Sequence, residues 1–560
     1  MLELRNVSLA APGGPDERWL LAEASASFSR GHLHAVVGPS GCGKSTMLKI
    51  IAGLHQPAEG SVFWDERNLD EQDFAPNEIG YVPQFGIAFD LMQVDESIDT
   101  SLRLRVGGLT PDERAARVGQ ILEETGLTDI AGRRVGVLSG GQKRRLALAL
   151  ELVSEPLLLL CDEVTTGLDP KSEQEIVHLL RRIADSGDRT VISVTHSLRH
   201  IDLHDTVTVL YGGRVVYQGA PSLLTHYFQI ETPDQLFPTL GLRSEEEWHA
   251  LWTGHASHYG AHPKERQPAE TKPTGFVRPS FGDQLRTLLH RRWNLFTRNR
   301  AQIGLQLALL FGFPCLVVIF AWNGLPQIQN LSTGASDTVK ELLETAAFNL
   351  RAAKVASLVS GLVMFQVILL TLIGSNNSAR EIAGERAIFE KEKFAGLRPA
   401  SYIASKFVFL SALVIAQSVW MGVFVSTVCR FPGDLLSQIA FLTLTNAAMT
   451  FVCLAISSLT RSSENASLLS IYLVGFQLPL SGAILALPQV IGWITRPFIS
   501  AFWGWSGYLQ TMRDTRFYDV VRSMSQTELA GFELCIWVLL MHILAGLFVA
   551  YFGVQNSRWQ

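Results

Sequence analysis

The second half of the chain contains six long stretches that are free of charged residues. Each is long enough to supply the roughly 20 mostly apolar residues that a helix needs to cross a bilayer. In the fifth stretch, Pro479 and Pro488 predict a kinked helix followed by a re-entrant or interfacial turn. The pattern predicts an all-α polytopic membrane domain of six transmembrane helices, within 301–336, 355–379, 407–429, 435–460, 465–495 and 534–557.

Charge divides the chain at about the same place. Residues 1–300 carry 31 Lys and Arg and 39 Asp and Glu, a net charge of −8, whereas residues 301–560 carry 16 and 13, a net of +3. The first part therefore has the charge density of an ordinary soluble domain. This composition excludes a disordered protein, and it does not fit a nucleic-acid-binding domain with a basic field, so no nucleic-acid partner is expected.

Cysteine usage and the first residues point to a cytosolic first domain. The six cysteines are scattered without a Cys-x-x-Cys pair, so neither a disulfide framework nor a zinc site is expected. A disulfide between Cys429 and Cys535, near the predicted outer ends of two spans, is left open. The first residues lack the apolar segment of a secretory signal, so we expect the first domain and, with an even number of spans, both termini in the cytosol. The Lys and Arg distribution agrees with this orientation only modestly.

Composition also marks the junction between the two parts. We expect a linker over 241–278, because 261–275 is polar and rich in proline. Residues 279–300 place four leucines beside a strongly basic face, a pattern typical of an amphipathic helix at the inner membrane surface. The predicted domains are therefore 1–240, the linker, the connecting helix 279–300 and the membrane domain 301–560.

A phosphate-binding loop is the clearest chemical motif in the first domain. The segment 38–45 reads GPSGCGKS, matches GxxxxGK[ST], and lies between the apolar run Leu33–Val37 and a helical segment. Glycines let successive backbone N–H groups converge on phosphate oxygens, and the helix N-terminus adds partial positive charge. We expect Lys44 to reach the β- and γ-phosphates and the Ser45 hydroxyl to ligate Mg²⁺. The predicted ATP-binding residues here are Gly38, Pro39, Ser40, Gly41, Cys42, Gly43, Lys44, Ser45 and Thr46.

Two carboxylates follow a buried strand about 120 residues later. Four leucines and a cysteine, 157–161, precede Asp162 and Glu163. Ligands bind at the carboxyl ends of strands in open α/β sheets. Asp162 is suited to hold Mg²⁺, directly or through water, and Glu163 to polarise the water that attacks the γ-phosphate.

The segment Leu138-Ser139-Gly140-Gly141-Gln142 gives the first domain a family resemblance. With this motif the chain resembles the ATP-binding cassette family, which implies an α/β P-loop ATPase domain of that type. Two departures are Val164, where the family usually has proline, and an Ala-Pro stretch where its adenine-stacking aromatic often lies. Trp19 is either that aromatic or a packing residue.

The resemblance assigns a role to each remaining motif residue. Gln84 and His196 join Glu163 as the catalytic set, and Gln84 joins Ser45 and Asp162 as a magnesium ligand. The resemblance further implies a head-to-tail dimer with two ATP molecules in its interface. The residues expected to contact nucleotide across that interface are Ser139, Gly141, Gln142 and Asp169.

The order of the domains resembles that of G-type half-transporters, which have the ATPase first and the six-helix permease second. This implies a homodimer or a pair with a related half-transporter, in the plasma (inner) membrane. Segment 380–402 resembles the cytosolic coupling segment of such permeases, although its alternating charges also fit a solvated helix. The expected function is export of an apolar or amphipathic substrate; the alternatives are a mechanical signalling complex without solute transport and, less favoured, import.

Polar and aromatic residues within the predicted spans leave the substrate open. They either line a cavity or hold helices together, the role that polar residues more often have in membranes. The residues concerned are Gln366, Gln417, Asn446, Gln477 and His542, with Phe365 and Phe476.

Overall fold

The computed structural model divides the chain into two compact units. One is Met1–Thr287 together with Glu390–Leu397, and the other is Leu288–Phe389 together with Arg398–Ser557. Segment Glu390–Leu397 therefore folds with the first unit, although its neighbours in sequence belong to the second. The structure describes residues 1–11, 19–84, 88–185, 189–260, 277–325, 345–483, 487–514, 518, 521–522 and 527–557.

Two sheets form the framework of the first unit. One has four antiparallel strands in the order β2-β1-β4-β5, and the other has six in the order β10-β9-β3-β8-β7-β6. In the larger sheet β9, β3, β8, β7 and β6 run parallel, and β10 is antiparallel to β9. The described strands are β1 Leu2–Ala10, β2 Trp19–Phe28, β3 Leu33–Val37, β4 Glu59–Trp64, β5 Arg67–Asn68, β6 Ile79–Val82, β7 Leu158–Asp162, β8 Thr190–Val194, β9 Thr206–Tyr211 and β10 Arg214–Gly219.

Every residue of the parallel strands β3, β6, β7 and β8 is buried. This agrees with their largely apolar sequences, because a parallel sheet is covered on both faces. The helices of this unit are α1 Lys44–Ile51, α2 Val94–Arg105, α3 Pro111–Glu124, α4 Gly140–Leu152, α5 Pro170–Asp185, α6 Pro221–Phe228, α7 Leu236–Leu240 and α8 Glu245–Tyr259.

Helix α8 occupies the first part of the segment expected to be a linker. Ser244 and Glu247 form a capping box at its start. Trp248 and Trp252 belong to the hydrophobic core of the first unit, and the Trp248 indole donates to the Leu240 carbonyl at 3.0 Å. A helix forms here because two tryptophans four residues apart share one face and find a core to enter. Residues 261–276 lie outside the described part of the chain.

Helices account for most of the second unit. Helix α9, Phe281–Arg298, lies within the segment expected to form the connecting helix; its first seven residues belong to the first unit. The following helices are α10 Arg300–Ala321, α11 Thr345–Ser378, α12 Arg386–Phe394, α13 Pro399–Cys429, α14 Leu435–Leu459, α15 Ser463–Leu480, α16 Gln489–Thr495, α17 Ser500–Gln510 and α18 Phe532–Asn556.

Five helical stretches among the described residues are long and apolar enough to span a bilayer. They correspond to five of the six predicted windows. The remaining window, 465–495, holds α15, whose first turn is polar, and the short α16. Thus the break near the two prolines is present, and the count of six spans stays a prediction. The five stretches are Arg300–Ala321, Val355–Phe394, Pro399–Cys429, Leu435–Leu459 and Phe532–Asn556.

Candidate nucleotide-binding site

The carboxyl ends of four parallel strands assemble the candidate site. Gly38 follows β3, Asp162 ends β7, and Gln84 and His196 come two residues after β6 and β8. Because these strands are parallel neighbours, their carboxyl ends meet at one edge of the sheet. Segments that are far apart in sequence therefore contribute side chains to one place.

Close backbone contacts determine where glycine is needed in the phosphate loop. A Cβ atom on Gly38 would lie 2.2 Å from the Leu210 carbonyl oxygen, and one on Gly43 would lie 2.3 Å from the Leu20 carbonyl oxygen. Gly41 has φ of +79° and no atom within 4 Å of its would-be Cβ. The loop is thus packed against the fold at two glycines and open at the third, which suits a cradle for phosphate.

Lys44 is buried beneath this loop and bonded to it. Its side chain is 4% exposed, and its ammonium group donates to the carbonyl oxygens of Gly38 at 3.0 Å and Pro39 at 2.8 Å. These contacts place a positive charge at the first turn of α1, beside the helix N-terminus. The two sources of positive potential together favour a polyphosphate.

Asp162 accepts a hydrogen bond on each carboxylate oxygen. Ser45 donates its hydroxyl to Oδ1 at 2.8 Å, and Tyr81 donates its hydroxyl to Oδ2 at 3.1 Å. Burial raises the pKa of the Asp162 carboxyl, and these two hydrogen bonds oppose that rise. A hydroxyl and a carboxylate oxygen are hard donors, so the Ser45–Asp162 pair has the chemistry that Mg²⁺ requires.

Glu163 is the point on which the other predicted catalytic groups converge. His196 Nε2 lies 2.6 Å from Glu163 Oε1, and the Gln84 amide donates to Oε2 at 2.8 Å. Glu163 has φ of +50°, an uncommon value for a residue with a side chain. Its backbone N–H donates to the Val194 carbonyl at 3.2 Å. The carboxylate is thus held between His196 and Gln84 on a residue whose backbone conformation is uncommon.

The residues predicted to contact the nucleotide of a second chain lie at the N-terminal ends of helices. Ser139 and Gln142 form a capping box at the start of α4, and Ser139 is exposed. Asp169, also exposed, accepts from the backbone N–H groups of Lys171 and Ser172 at the start of α5. Hydrogen bonds from Ser172 hold the pKa of Asp169 below its ordinary value. Both motifs present polar groups outward from ordered helices.

Trp19 and Val164 are the positions where the chain departs from the family's usual pattern. Trp19 opens β2 and is 38% exposed, which leaves it free to meet a flat ring. Val164 is fully buried in a core cluster of the first unit. The apolar residue at this position therefore packs in the core beside the Glu163 carboxylate.

Two family models match the chain in the order expected. The model for ABC transporter matches residues 21–166, and the model for ABC-2 type transporter matches residues 283–504. Methionine import ATP-binding protein MetN 1 of Rhodococcus jostii (strain RHA1) is 33% identical over 261 residues, which are 45% of this chain and 76% of that protein. The chain belongs to the ATP-binding cassette transporter family. Membership implies an ATP-binding cassette joined to the helical membrane domain of an ABC-2 type transporter.

A relative that spans both domains shows the same combination. ABC transporter ATP-binding/permease protein Rv1747 of Mycobacterium tuberculosis (strain ATCC 25618 / H37Rv) is 28% identical over 544 residues. The match covers 91% of this chain but only 57% of that relative's length. The dimeric structure of the ATP-binding cassette MJ0796 with ADP and Pi is 29% identical, covers 40% of this chain and 99% of that chain, and has a TM-score of 0.37.

A buried ion cluster, which the sequence did not indicate, lies within the cassette unit. Glu151, near the end of α4, pairs with Arg105 at 2.8 Å and with Lys391 at 2.8 Å, and all three side chains are at most 5% exposed. Burial alone would raise the pKa of Glu151, but the positive charges of Arg105 and Lys391 lower it to about 2. Glu151 thus remains ionised and joins three separate segments.

Lys391 belongs to the segment 380–402 that resembles a coupling segment. Residues Glu390–Leu397 fold with the cassette unit. The Gly396 carbonyl accepts from Arg278 at 2.9 Å and from Gln284 at 3.2 Å. Alternating charges had left a solvated helix open as an interpretation; the burial of Lys391 excludes it for this part of the segment.

Amide side chains on three spans of the permease form a closed ring. Gln306 donates to Asn377 at 2.9 Å, Asn377 donates to Gln417 at 2.8 Å, and Gln417 donates to Gln306 at 2.8 Å. Each residue is at most 8% exposed. Asn446 donates to Ser418 at 3.2 Å beside this ring.

The other polar and aromatic positions in the spans differ in their surroundings. Gln477 accepts from the Ser500 hydroxyl at 3.1 Å, and His542 Nε2 donates to the Pro497 carbonyl at 2.6 Å. Gln366 is fully buried, whereas Phe476 is 58% exposed. For Gln417, Asn446 and Gln477 these contacts favour the helix-joining role over a cavity lining. Cys429 and Cys535 are both free thiols.

Proposed function

We propose that the chain is half of a dimeric exporter that uses ATP and Mg²⁺ to move an apolar or amphipathic substrate across the plasma (inner) membrane. The cassette and both termini would lie in the cytosol. The observation that carries the proposal is the meeting of Lys44, Ser45, Asp162, Glu163 and His196 at one sheet edge. That arrangement provides phosphate binding, a cation site and a base in one place.

Hydrolysis in this proposal depends on Glu163. Its carboxylate would accept hydrogen bonding from the attacking water and orient it towards the γ-phosphate. His196 and Gln84 already contact the two carboxylate oxygens at 2.6 and 2.8 Å, so they fix the carboxylate's rotation. In this proposal both would also contact a γ-phosphate bound to the loop and respond to its presence.

Ser45 and Asp162 are the groups that would hold Mg²⁺, with the Gln84 carbonyl as a further ligand. Bound there, the cation would neutralise charge on the β- and γ-phosphates. The Ser45 and Asp162 oxygens lie 2.8 Å apart, close enough for both to reach one octahedral ion.

A second copy is needed for the signature segment to act. Ser139 and Gly140 are exposed at the N-terminus of α4, a helix end suited to anions. The proposal places this end, with Asp169, on the nucleotide bound by a second chain, either another copy or a related half-transporter. Nucleotide would then close the dimer, and hydrolysis would reopen it.

Coupling to the permease is proposed to run through Glu390–Leu397. Glu151 connects Lys391 of this segment with α4, whose opposite end carries Ser139. A shift of α4 on dimer closure would therefore move Lys391 directly, because an ion pair of this burial resists separation.

The character of the substrate is inferred from the permease surface. A groove of about 330 Å³ is lined by Phe320, Ser357, Leu358, Gly361, Leu362 and Phe365, and all but one of these are glycine or apolar residues. The amides Gln306, Asn377 and Gln417 bond to one another and are not available to a polar cargo. Both observations favour an apolar or amphipathic molecule.

The test places the full chain in proteoliposomes with the cassette outward and supplies fluorescent lipids and amphiphiles. Export predicts ATP-dependent movement of one of them into the lumen, lost in Glu163→Gln. Stimulation of ATP hydrolysis without movement of any probe would contradict export and favour the signalling alternative. Movement outward from the lumen would indicate import.

A further inference from the structure

Tyr81 touches the proposed cation site but belongs to none of the family motifs discussed above. It lies in β6, three residues before Gln84, and is 2% exposed. An aromatic residue in a buried strand is ordinarily explained by packing. The hydroxyl of Tyr81, however, donates to Asp162 Oδ2 at 3.1 Å.

Strand register explains how the phenol reaches the carboxylate. Strands β6 and β7 are parallel, with Tyr81 opposite Leu160. Leu160 and Asp162 share one face of β7, because side chains alternate along a strand. The long ring of Tyr81 therefore extends along that face towards the strand end, where a shorter side chain would stop at Leu160.

The two carboxylate oxygens of Asp162 thus have different partners. Ser45, itself a proposed ligand, holds Oδ1, and Tyr81 holds Oδ2 from the neighbouring strand. We propose that Tyr81 is a positioning residue for Mg²⁺: its hydroxyl fixes the Asp162 carboxylate so that Oδ1 faces the cation with Ser45. The inference rests on the proposed function, because it requires the nucleotide–Mg²⁺ site.

A positioning role predicts a specific change in the affinity of the site for the cation. Without the hydroxyl, Oδ2 is left buried without this donor, and the carboxylate can rotate away from the cation. Removal of hydrogen bonds to metal ligands typically lowers metal affinity 10- to 100-fold. Binding of metal-free ATP should not change, because the Lys44 ammonium is held by the Gly38 and Pro39 carbonyls, whereas the Tyr81 hydroxyl bonds to Asp162.

The experiment uses the full-length Glu163→Gln chain, in which ATP is bound without turnover. ATP affinity is measured in EDTA and then against free Mg²⁺ and Mn²⁺. Tyr81→Phe should raise about tenfold the cation concentration at which the increase in ATP affinity is half-maximal. It should leave the ATP affinity measured in EDTA unchanged. The matched control is Tyr217→Phe, which removes the hydroxyl that donates to the Ala220 carbonyl at 2.7 Å in the same unit.

Each outcome decides the inference. An unchanged or lowered cation requirement in Tyr81→Phe would overturn it, as would an equal rise in Tyr217→Phe. Loss of ATP affinity in EDTA would also overturn it, since the hydroxyl would then serve the fold and not the cation. If the Glu163→Gln parent itself binds no ATP with either cation, the proposed function fails instead, and the two failures are distinguishable.

Discussion

The cassette and the permease each contain a cluster of hydrogen-bonded polar side chains, and the two clusters are organised in opposite ways. In the permease, Gln306, Asn377 and Gln417 satisfy one another in a closed ring. In the cassette, Glu163 is contacted at both oxygens by groups that remain partly exposed, with His196 at 32%. A closed cluster holds segments together, whereas an open one can exchange its partners for a substrate.

The ion cluster around Glu151 lies between these extremes. Like the amide ring it is buried, yet one member, Lys391, belongs to Glu390–Leu397, which folds with the cassette unit while its sequence neighbours belong to the second unit. The comparison therefore suggests three different roles for clustered polar side chains: the proposed catalysis at Glu163, linkage of segments at Glu151, and helix packing at Gln417. Substitutions at each should differ in what they change.

The largest effect is expected at the open cluster. Glu163→Gln should reduce the rate of ATP hydrolysis about 1,000-fold, a change of about 4 kcal/mol in the barrier, because the amide cannot act as the base. Nucleotide binding and dimer closure should remain. Steady-state hydrolysis and ATP affinity, measured on the same preparation, check both parts.

The exposed Glu123 provides the matched control, since Glu123→Gln changes the same group on the surface of α3. Lys44→Ala should fail differently, by weakening nucleotide binding itself. Near-normal hydrolysis by Glu163→Gln would contradict the catalytic role proposed for Glu163 and for its contacts with His196 and Gln84.

Substitution of Glu151 in the buried ion cluster should lower both the folding stability and the coupling of ATP hydrolysis to transport. Glu151→Gln leaves Arg105 and Lys391 buried without a counter-charge, which should cost about 3 kcal/mol of folding stability. Thermal unfolding of the full chain measures this loss. In proteoliposomes, transport per ATP hydrolysed should fall as well.

Glu155→Gln is the control for this substitution, because Glu155 pairs with Arg117 while its side chain is 52% exposed. A surface pair of that kind contributes at most about 1 kcal/mol. If Glu151→Gln and Glu155→Gln behave alike, the buried cluster neither stabilises the unit nor links its segments.

A third effect follows from histidines that are buried as neutral rings in the cassette. Burial lowers the pKa of His34 from 6.5 to about 4. Its contribution to stability is therefore complete above pH 6.5 and is lost as the pH falls from 6.5 towards 4, where the unfolded chain binds the proton first. At pH 5 the loss is about 2 kcal/mol for this residue.

Melting temperatures between pH 7.5 and 5 check this expectation. His34→Gln should make the melting temperature less dependent on pH. His178→Gln, a change at an exposed position, should leave that dependence unchanged. His204, whose pKa is likewise lowered by burial to about 4, should account for much of the slope that remains. An unchanged slope in His34→Gln would contradict the assignment.

The smallest effect is expected within the permease. Gln417→Leu breaks the amide ring and should cost about 1 kcal/mol, because polar contacts within membranes contribute modestly. Thermal unfolding should shift slightly while ATP affinity stays the same. Gln489→Leu, on the exposed surface of α16, serves as the control; a change in substrate preference in Gln417→Leu instead would mean that the ring faces the cargo.

Sequence motifs predicted the parts of the molecule that depend on local pattern. The glycine loop, the strand before Asp162 and five of the apolar helices follow from residue type and spacing alone. Pairings between distant segments could not be read in this way. Glu151 and Lys391 are 240 positions apart, and neither belongs to a motif.

Other features that the sequence did not indicate also depend on contacts formed only in the folded chain. Sequence motifs did not indicate Tyr81, because its hydrogen bond to Asp162 depends on strand register, which the sequence does not state. Residues 245–259 adjoin a polar, proline-rich stretch, and only the fold shows the core that receives Trp248 and Trp252. In the window 465–495, polar residues at the start of α15 shorten the apolar stretch.

The folding of Glu390–Leu397 with the cassette unit has a consequence for biosynthesis. The ribosome releases residues 1–287 long before residue 391 exists, so the nascent cassette must wait with Glu151 bonded to Arg105 alone. Lys391 is made only after the first apolar stretch, Arg300–Ala321, and most of the second, Val355–Phe394. We therefore expect the buried Glu151–Lys391 ion pair to be among the last contacts of the cassette unit to form during synthesis.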